Sequence, residues 1–376
     1  MGSAKPPRAA IAQDWLAVEA GAESVALEFS RLLPEADIYT SFFDRRIFDG
    51  AIDAGRVHTW PLQRVPGAAR HFRSFLPLYP AYFGRLDLRH YELVLSSSVA
   101  FAHAVQAAPA ALHIAYVYTP LRYAWDLDAY LAGSGWRLPA RVGGRAMRGL
   151  LQRCDVKASK KPDVVIAISR AVRERIQAHW NRDAEVIYPP VDVETINVSG
   201  VDDGFLMVAA RMLAYRRLDV AIDACTALGR ELVVVGDGPE RANLEARAGP
   251  SVRFLGRVDR PVLLDLFARC HAYVVPGIED FGIAPVEAMA AGKPVIGFRG
   301  GGVAETVVDG SSGILFNEQR RTSMAEAIEH LDTMAFDPTT IRRNAERFSS
   351  AAFHRSMAGL LERLDVDPNL YRAKQV

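Results

Sequence analysis

Short apolar runs, four to eight residues long and rich in Val, Ile or Tyr, alternate with longer helix-period segments along almost the whole chain. That alternation narrows the choice of fold more than any other feature. AAIAQDWL, ADIYTSFF, YELVLSSS, LHIAYVYT and DVVIAIS read as strands in the first half, and GFLMVAA, ELVVVG, VRFLG, AYVVPG and KPVIGF in the second. AESVALEFSRLL, LDVAIDACTALG and PVLLDLFARC carry helical spacing between them. A run that is apolar on both faces needs cover on both faces, so βα alternation of this kind implies parallel sheets sandwiched between helices. The expected class is α/β.

The alternation breaks once. Tyr188-Pro189-Pro190-Val191-Asp192 and the polar stretch to Gly204 do not continue a sheet interior, because proline has no N–H to give the ladder. A chain of 376 residues divides naturally into two domains of about 190. The expectation is therefore two Rossmann-like β/α/β domains, residues 1–188 and 189–348, facing across a cleft, with a final segment 349–376. Ligands of open α/β sheets sit at the carboxyl ends of the strands, so the functional residues are sought in strand-to-helix loops.

Charge and cysteine content exclude several classes. Lys plus Arg is 45 and Asp plus Glu is 44, a formal net charge of +1, which argues against nucleic acid or any other polyanion bound by bulk charge. Cys154, Cys225 and Cys270 lie far apart with no CxxC pair, so neither a disulfide framework nor a structural zinc site is expected and a reducing cytoplasm suits the chain. MGSAKPPRAAIAQDWL has no continuous apolar core of a secretory signal. The apolar stretch from Val99 to Tyr118 is interrupted by His103, Gln106, Pro109 and His113 and reads as buried strand and helix edges; both histidines are expected to be structural. Residues 55–165 hold fifteen Lys/Arg against six Asp/Glu, with Trp60, Phe72, Phe75, Tyr79, Tyr82 and Phe83 interleaved. Two readings follow: peripheral contact with anionic lipid or a phosphorylated acceptor through residues 56–90, or an ordinary basic face over a core.

The most informative stretch is PGIEDFGIAPVEAMAAGKPVIGFRGGGVAETVVDGSSGILF, residues 276–316. A strand ends at Pro276, a loop carries Glu279, Asp280 and Gly282, Pro285 suits a first helical position, Glu287 falls in the first turn, and Gly292 with Pro294 ends the helix. The helix N-terminus, with N–H groups near Gly282 and Ile283, suits a phosphate. Carboxylates flanking such an anion site accept hydrogen bonds from hydroxyls instead. Hydroxyls on both sides of a diphosphate describe a nucleotide sugar. The plainer alternative makes Glu287 a favourable charge at a helix start and Glu279 a solvated loop residue.

The stretch resembles the E-x7-E signature of glycosyltransferase family 4, retaining enzymes of GT-B fold. The resemblance implies that Glu279 contacts the donor sugar's hydroxyls, that Glu287 binds the ribose, and that the backbone of Phe281-Gly282-Ile283 approaches sugar and phosphate. VAARMLAYRRLDVAIDA resembles the family's G-R-L-x-x-x-K-x-x-D segment: Arg211 matches the diphosphate-binding arginine and Arg216 stands where lysine is usual, with Arg217 the less favoured partner. An arginine there keeps the cation and gains a fork for two oxygens. ELVVVGDGPERANL begins like G-x-G-x-x-G, but Arg241 occupies the third glycine position. It matches instead a family element in which Gly236 and Gly238 line the nucleotide side. Val258, after VRFLG, is the expected backbone contact to the base.

The first half matches less tightly. In DWLAVEAGAESV, Gly21 corresponds to a glycine loop near the diphosphate. YVYTPLRYAWD resembles Y-x-H-T-P-x-R-Y-x-W-D, and Tyr118 replaces a histidine near the acceptor and reacting carbon. A phenol donates a hydrogen bond but is a poor base at neutral pH. AERFSSAAFHRSMAGLLERL resembles a closing helix that returns to the first domain. These segments together resemble bacterial GDP-mannose-using enzymes of polysaccharide assembly. The implied reaction is transfer of an α-mannosyl group from GDP-mannose to a saccharide or polyprenyl-linked acceptor, without metal or cofactor, in the cytoplasm or at the inner membrane face. Arg211, Arg216, Glu279 and Tyr118 are the candidate catalytic residues. Rivals are a UDP-sugar-dependent member of the same family and a metal-dependent transferase built on Asp126-Leu127-Asp128. From other classes come an NAD-dependent oxidoreductase and a non-catalytic nucleotide-sugar binder.

Overall fold

The computed structural model describes residues 9–18, 21–126 and 138–372, with only the backbone course for 138–146. The chain forms two compact units. Among the described residues, unit 1 comprises those up to Trp125, Ala146–Pro190 and those from Ser350 onward, and unit 2 comprises Asp126, residues 138–145 and Val191–Ser349.

The sheet of unit 1 runs β3-β2-β1-β4-β5-β6-β7, with β1 Ala9–Gln13, β2 Asp37–Thr40, β3 Val57–Thr59, β4 Leu93–Ser98, β5 Leu112–Val117, β6 Val164–Ala167 and β7 Glu185–Val186. That of unit 2 runs β10-β9-β8-β11-β12-β13, with β8 Leu206–Ala209, β9 Leu232–Val235, β10 Val252–Gly256, β11 Ala272–Val275, β12 Val295–Phe298 and β13 Gly313–Phe316. Every pairing in both sheets is parallel. Each order reverses beside the unit's first strand, between β1 and β4 and between β8 and β11. Those are the points at which a doubly wound sheet opens a crevice for a ligand. The α/β, two-sheet, Rossmann-like expectation therefore holds. β3, β7 and β13 are additional to the strands expected.

Alternating residues of β8, β9, β11 and β12 (Leu206, Val208, Leu232, Val234, Ala272, Val274, Ile296) build the core of unit 2 with helices Leu218–Leu228 and Arg321–Asp332. In unit 1 the core takes Ala10 and Ala12 from β1 and Val94 from β4 together with the aromatic segment after β3. Phe72, Tyr79 and Phe83 are fully buried there, Trp60 stacks on Tyr82 with ring centroids 4.7 Å apart, and Trp15 packs on Phe72 at 4.9 Å. Of the two readings of residues 56–90, the packing of the rings matches a core beneath a basic face: rings of this size are driven inward by the apolar area they bury, and they fill the layer under the sheet. Helix Ser350–Arg363 packs on helix Gly21–Leu32 of the same unit, where His354 Nε2 meets Glu28 Oε2 at 2.6 Å and Phe353 contacts Phe29.

Candidate active site

In unit 2 the loops that follow β8, β9 and β11 are locked together through backbone, and glycine makes the approach feasible. A Cβ on Gly236, where φ is +119°, would lie 2.1 Å from the Ala210 carbonyl oxygen, and one on Gly238 would lie 2.4 Å from that of Met212. Met212 N–H donates to the Asp237 carbonyl at 3.0 Å across the same seam. These two glycines thus shape the site by holding the Arg211 loop, whatever else approaches them.

Arg211 leaves this seam as an exposed side chain, and no ion pair holds it among the described residues. Arg216 closes a short 3₁₀ turn, Ala214–Arg216, and pairs with Glu279 on the loop after β11. Its Nε is buried without a hydrogen-bond partner among the described residues. Arg217 sits in the left-handed region (φ +52°) and forks onto Asp219 at 3.1 Å, so its charge is engaged away from Glu279. The carbonyl of Glu279 accepts the Gly302 N–H at 2.8 Å, which ties the loop to the glycine run 300–302.

Gly282, with φ +93°, caps helix Ile283–Ala290. The helix begins two residues earlier than Pro285, which occupies its third position. Proline is tolerated there because the first four N–H groups of a helix have no intrahelical acceptor. Glu287 consequently lies in the second turn, not the first. Phe281 turns its ring into the interior against Phe348, 5.4 Å between centroids, leaving only backbone for a ligand. Glu287 is 8% exposed and pairs through Oε1 with Arg260 Nη1 at 2.6 Å. Burial pushes its carboxyl upward in pKa, and Arg260 opposes that shift. Arg260 opens the helix Arg260–Arg269 two residues after the half-buried Val258. The sequence pattern gave no reason to single out Arg260. Tyr273 of β11 lies within reach of the charges of both Arg216 and Glu287.

Gly21 and Tyr118 belong to unit 1. Gly21 stands at the head of the described helix Gly21–Leu32. The half-buried Tyr118 phenol donates to the Ala22 carbonyl at 3.1 Å and meets Ser97 Oγ at 3.0 Å, so the two candidates are drawn together. Burial lifts the phenol's pKa well above its usual value, which keeps it a hydrogen-bond donor and excludes it as a base at neutral pH. Glu23, in the first turn of the helix, is 2% exposed and accepts from Trp15. Its Oε2 has no partner among the described residues, and burial raises its pKa to about 7. Asp14, at the end of β1, accepts the N–H groups of Val99, Ala100, Phe101 and Ala102 at 2.6, 2.7, 2.8 and 2.9 Å. Burial still raises it to about 6. His103 and His113 are buried against Ser98 and Ser96, with pKa values pushed down to about 3 and about 4, hence neutral.

Leu127 and Asp128 of the D-x-D rival lie outside the described residues. Among the described residues, no group of three or more His, Cys, Asp or Glu is placed to share a metal ion, and no helix is long and apolar enough to cross a membrane.

Comparison with known proteins meets this geometry from both ends. Residues 20–195 match the family model described as Glycosyltransferase Family 4, and residues 204–333 match the one described as Glycosyl transferases group 1. An uncharacterized glycosyltransferase of Methanocaldococcus jannaschii is 28% identical over 197 residues, 51% of this chain and 56% of the relative. The D-inositol 3-phosphate glycosyltransferase of Mycobacterium tuberculosis is 24% identical over 318 residues, 78% of this chain and 63% of that protein. The chain thus spans between about half and two thirds of these curated relatives. In fold, it superposes on the Anabaena protein HepE, solved in complex with UDP and glucose, with a TM-score of 0.69 at 18% identity, covering 95% of this chain and 100% of that one. The fold is GT-B, and the two family matches support a GT-B glycosyltransferase.

Proposed function

We propose that this chain is a retaining hexosyltransferase that moves a sugar from a nucleoside diphosphate sugar to an acceptor hydroxyl, with α-mannosyl from GDP-mannose as the first reading of the donor. The observation that carries it is the pairing of Glu279 with Arg216 on the loops after β11 and β8, with the exposed Arg211 on the β8 loop and Glu287 paired to Arg260 between two helices of the same unit. Acids and cations interleaved there suit a ligand with hydroxyls at both ends and a diphosphate between. Glu279 takes the hexose hydroxyls, Glu287 the ribose, and Arg211 and Arg216 the diphosphate.

In the reaction the C1–O bond to the β-phosphate breaks, and its electron pair leaves with the nucleoside diphosphate. The acceptor oxygen bonds to C1 on the same face, and its proton passes to an oxygen of the leaving phosphate. The two arginines neutralise the charge that builds on that phosphate, a contribution on the order of 10²–10³ in rate for one such group. No dedicated base is required, which agrees with a Tyr118 that stays protonated. Metal is not part of this scheme. We assign the acceptor, a saccharide or a polyprenyl-linked saccharide, to unit 1 and the reaction to the cytoplasmic side.

A UDP-sugar donor is the second reading, favoured by the complex of HepE with UDP and glucose. The name of the mycobacterial relative favours a phosphorylated acceptor. Calorimetric titration with GDP-mannose, GDP, UDP-glucose, UDP and NADH, with and without EDTA, tests the proposal. Metal-insensitive binding of one nucleotide sugar is expected, and Glu279→Gln should weaken the nucleotide sugar more than the free nucleotide. Equal losses for both would remove the sugar from Glu279, and binding of NADH alone would overturn the reaction class.

A further inference from the structure

We propose that Arg260 is the positioning residue of the ribose subsite in unit 2: its guanidinium pins Oε1 of Glu287, so that the carboxylate stands as a fixed acceptor for the ribose hydroxyls and discriminates against a nucleotide that lacks them. This role rests on the assignment of Glu287 to the ribose and adds the side chain on which that assignment depends.

Glu287 occupies an unfavourable place for an acid. It is 8% exposed, on a helix whose other side chains from Pro285 to Ala290 are buried and apolar. A carboxylate taken out of water without a partner gives up its charge. In the protonated form it carries an O–H donor of its own, whereas the ionised form only accepts, with about four lone-pair sites. Two neighbouring hydroxyls that both donate need the ionised form. The groups around Glu287 therefore decide whether the subsite works.

Among the described residues, three segments bring charged or titratable groups to it. From β11, Tyr273 lies within reach, but its phenol is engaged with the backbone of Ala209, donating to the carbonyl at 2.9 Å and accepting the N–H at 3.1 Å. Burial is the main force against the charge of Glu287, and Asp192, in the stretch after the paired prolines, adds to it as a like charge. Arg260 alone opposes both, with Nη1 at 2.6 Å from Oε1. One guanidinium contact leaves lone pairs on the carboxylate for a ligand.

The location of Arg260 points the same way. It is the first residue of helix Arg260–Arg269, at the positive end of the helix dipole, where a cation is disfavoured. The first turn holds no acid to offset it, and the N-cap Asp259 makes no capping bond. The Arg260 side chain is 44% exposed, so packing does not account for it either. A charge set against its local preference marks a position kept for another purpose. A contact that merely joined the two helices would be served as well by an apolar pair, since a buried ion pair is a poor source of stability.

The test is calorimetric titration of the full chain with GDP and UDP and with their dideoxy counterparts, which lack both ribose hydroxyls, at neutral and at mildly acid pH. The parent is expected to bind the ribo form of its nucleotide roughly tenfold or more tightly than the dideoxy form. Arg260→Gln should lower affinity for the ribo form roughly tenfold and leave the dideoxy form unchanged. The loss should grow as pH falls, because without the guanidinium the Glu287 carboxyl takes up its proton at higher pH than in the parent. The nucleotide's own phosphates titrate alike with parent and variant and drop out of the comparison. Arg260→Lys, which keeps the charge, should recover part of the loss, and it carries the comparison if glutamine lowers the thermal midpoint. Glu287→Gln should remove the ribo preference, and Arg260→Gln added to it should cost nothing further. Equal losses for ribo and dideoxy forms, full additivity in the double variant, or unchanged affinity in Arg260→Gln would overturn the role of Arg260 while leaving Glu287 with the ribose. A parent that binds nucleotide without preferring the ribo form would overturn both, and a parent that binds neither nucleotide would overturn the donor reading of the whole site.

Discussion

Replacing Glu23 by glutamine should free unit 1 from a pH range over which the parent protein weakens. The carboxyl titrates at about 7 in the folded chain against a reference of 4.5, and its main cause is burial, with the charge of Asp14 adding to it. A raised folded-state pKa means that the fold accommodates the protonated acid. The stability this confers is complete below about pH 4.5 and is lost as pH rises toward about 7. With 1.36 kcal/mol per unit, the parent should lose about 2.5 kcal/mol relative to Glu23→Gln between about pH 5 and about pH 8. The side chain is 2% exposed, so solvent screening does not reduce that figure much. Whatever the amide costs in packing is the same at both pH values and drops out of the difference. Asp14 and Asp155, each raised to about 6, titrate in both proteins and cancel to first order. Urea unfolding read by tryptophan fluorescence is the assay, because all five tryptophans precede residue 181 and Trp15, Trp60, Trp125 and Trp180 lie in unit 1. A gap between the two proteins that is constant across this range, or that opens toward acid, would refute the reasoning.

Two further outcomes follow from the donor loops. Arg211→Ala should reduce sugar transfer on the order of 10²–10³ while leaving the unfolding midpoint in place, since the side chain is exposed and holds no ion pair among the described residues; parallel assays of turnover and thermal melting separate the two. Gly236→Ala should destabilise unit 2 by roughly 2 kcal/mol or more, because its Cβ would overlap the Ala210 carbonyl and φ is +119°. A melting curve unchanged by that substitution would mean that the seam between the two loops gives way easily.

Strands with a strong apolar run were legible in the sequence, and those without one were not. β3 has three residues, is flanked by polar positions and carries His58; β7 has two. Neither is long enough to show a period, and both sit at sheet edges, where one side needs no partner. β13 was hidden differently: GILF lies inside a stretch already occupied by motif residues. Composition could not say on which side of a helix layer the rings of residues 56–90 lie. The structure sends them inward and leaves Arg64, Arg70, Arg73, Arg85 and Arg89 exposed. Arg260 and Glu23 were missed for a related reason. Glu23 in a first turn reads as a favourable helix start and Arg260 as a solvated helix residue, and only the three-dimensional packing shows that Arg260 holds Glu287 and that Glu23 keeps an oxygen unpartnered among the described residues. Glu279, Glu287, Arg211 and Arg216 were legible because their spacing matches a long, specific pattern; Arg260, the partner of Glu287, was not part of it.

The two units share a strand order, but Asp14 makes them unequal receptors. At the switch point of unit 1, four successive amide hydrogens converge on that buried carboxylate, so the polypeptide supplies its own anion. A phosphate approaching there would meet a negative charge already seated among the donors it needs. The loop after β8 in unit 2 presents Arg211 and Arg216 instead. On the proposed function, that internal side chain keeps unit 1 from competing with unit 2 for the nucleotide.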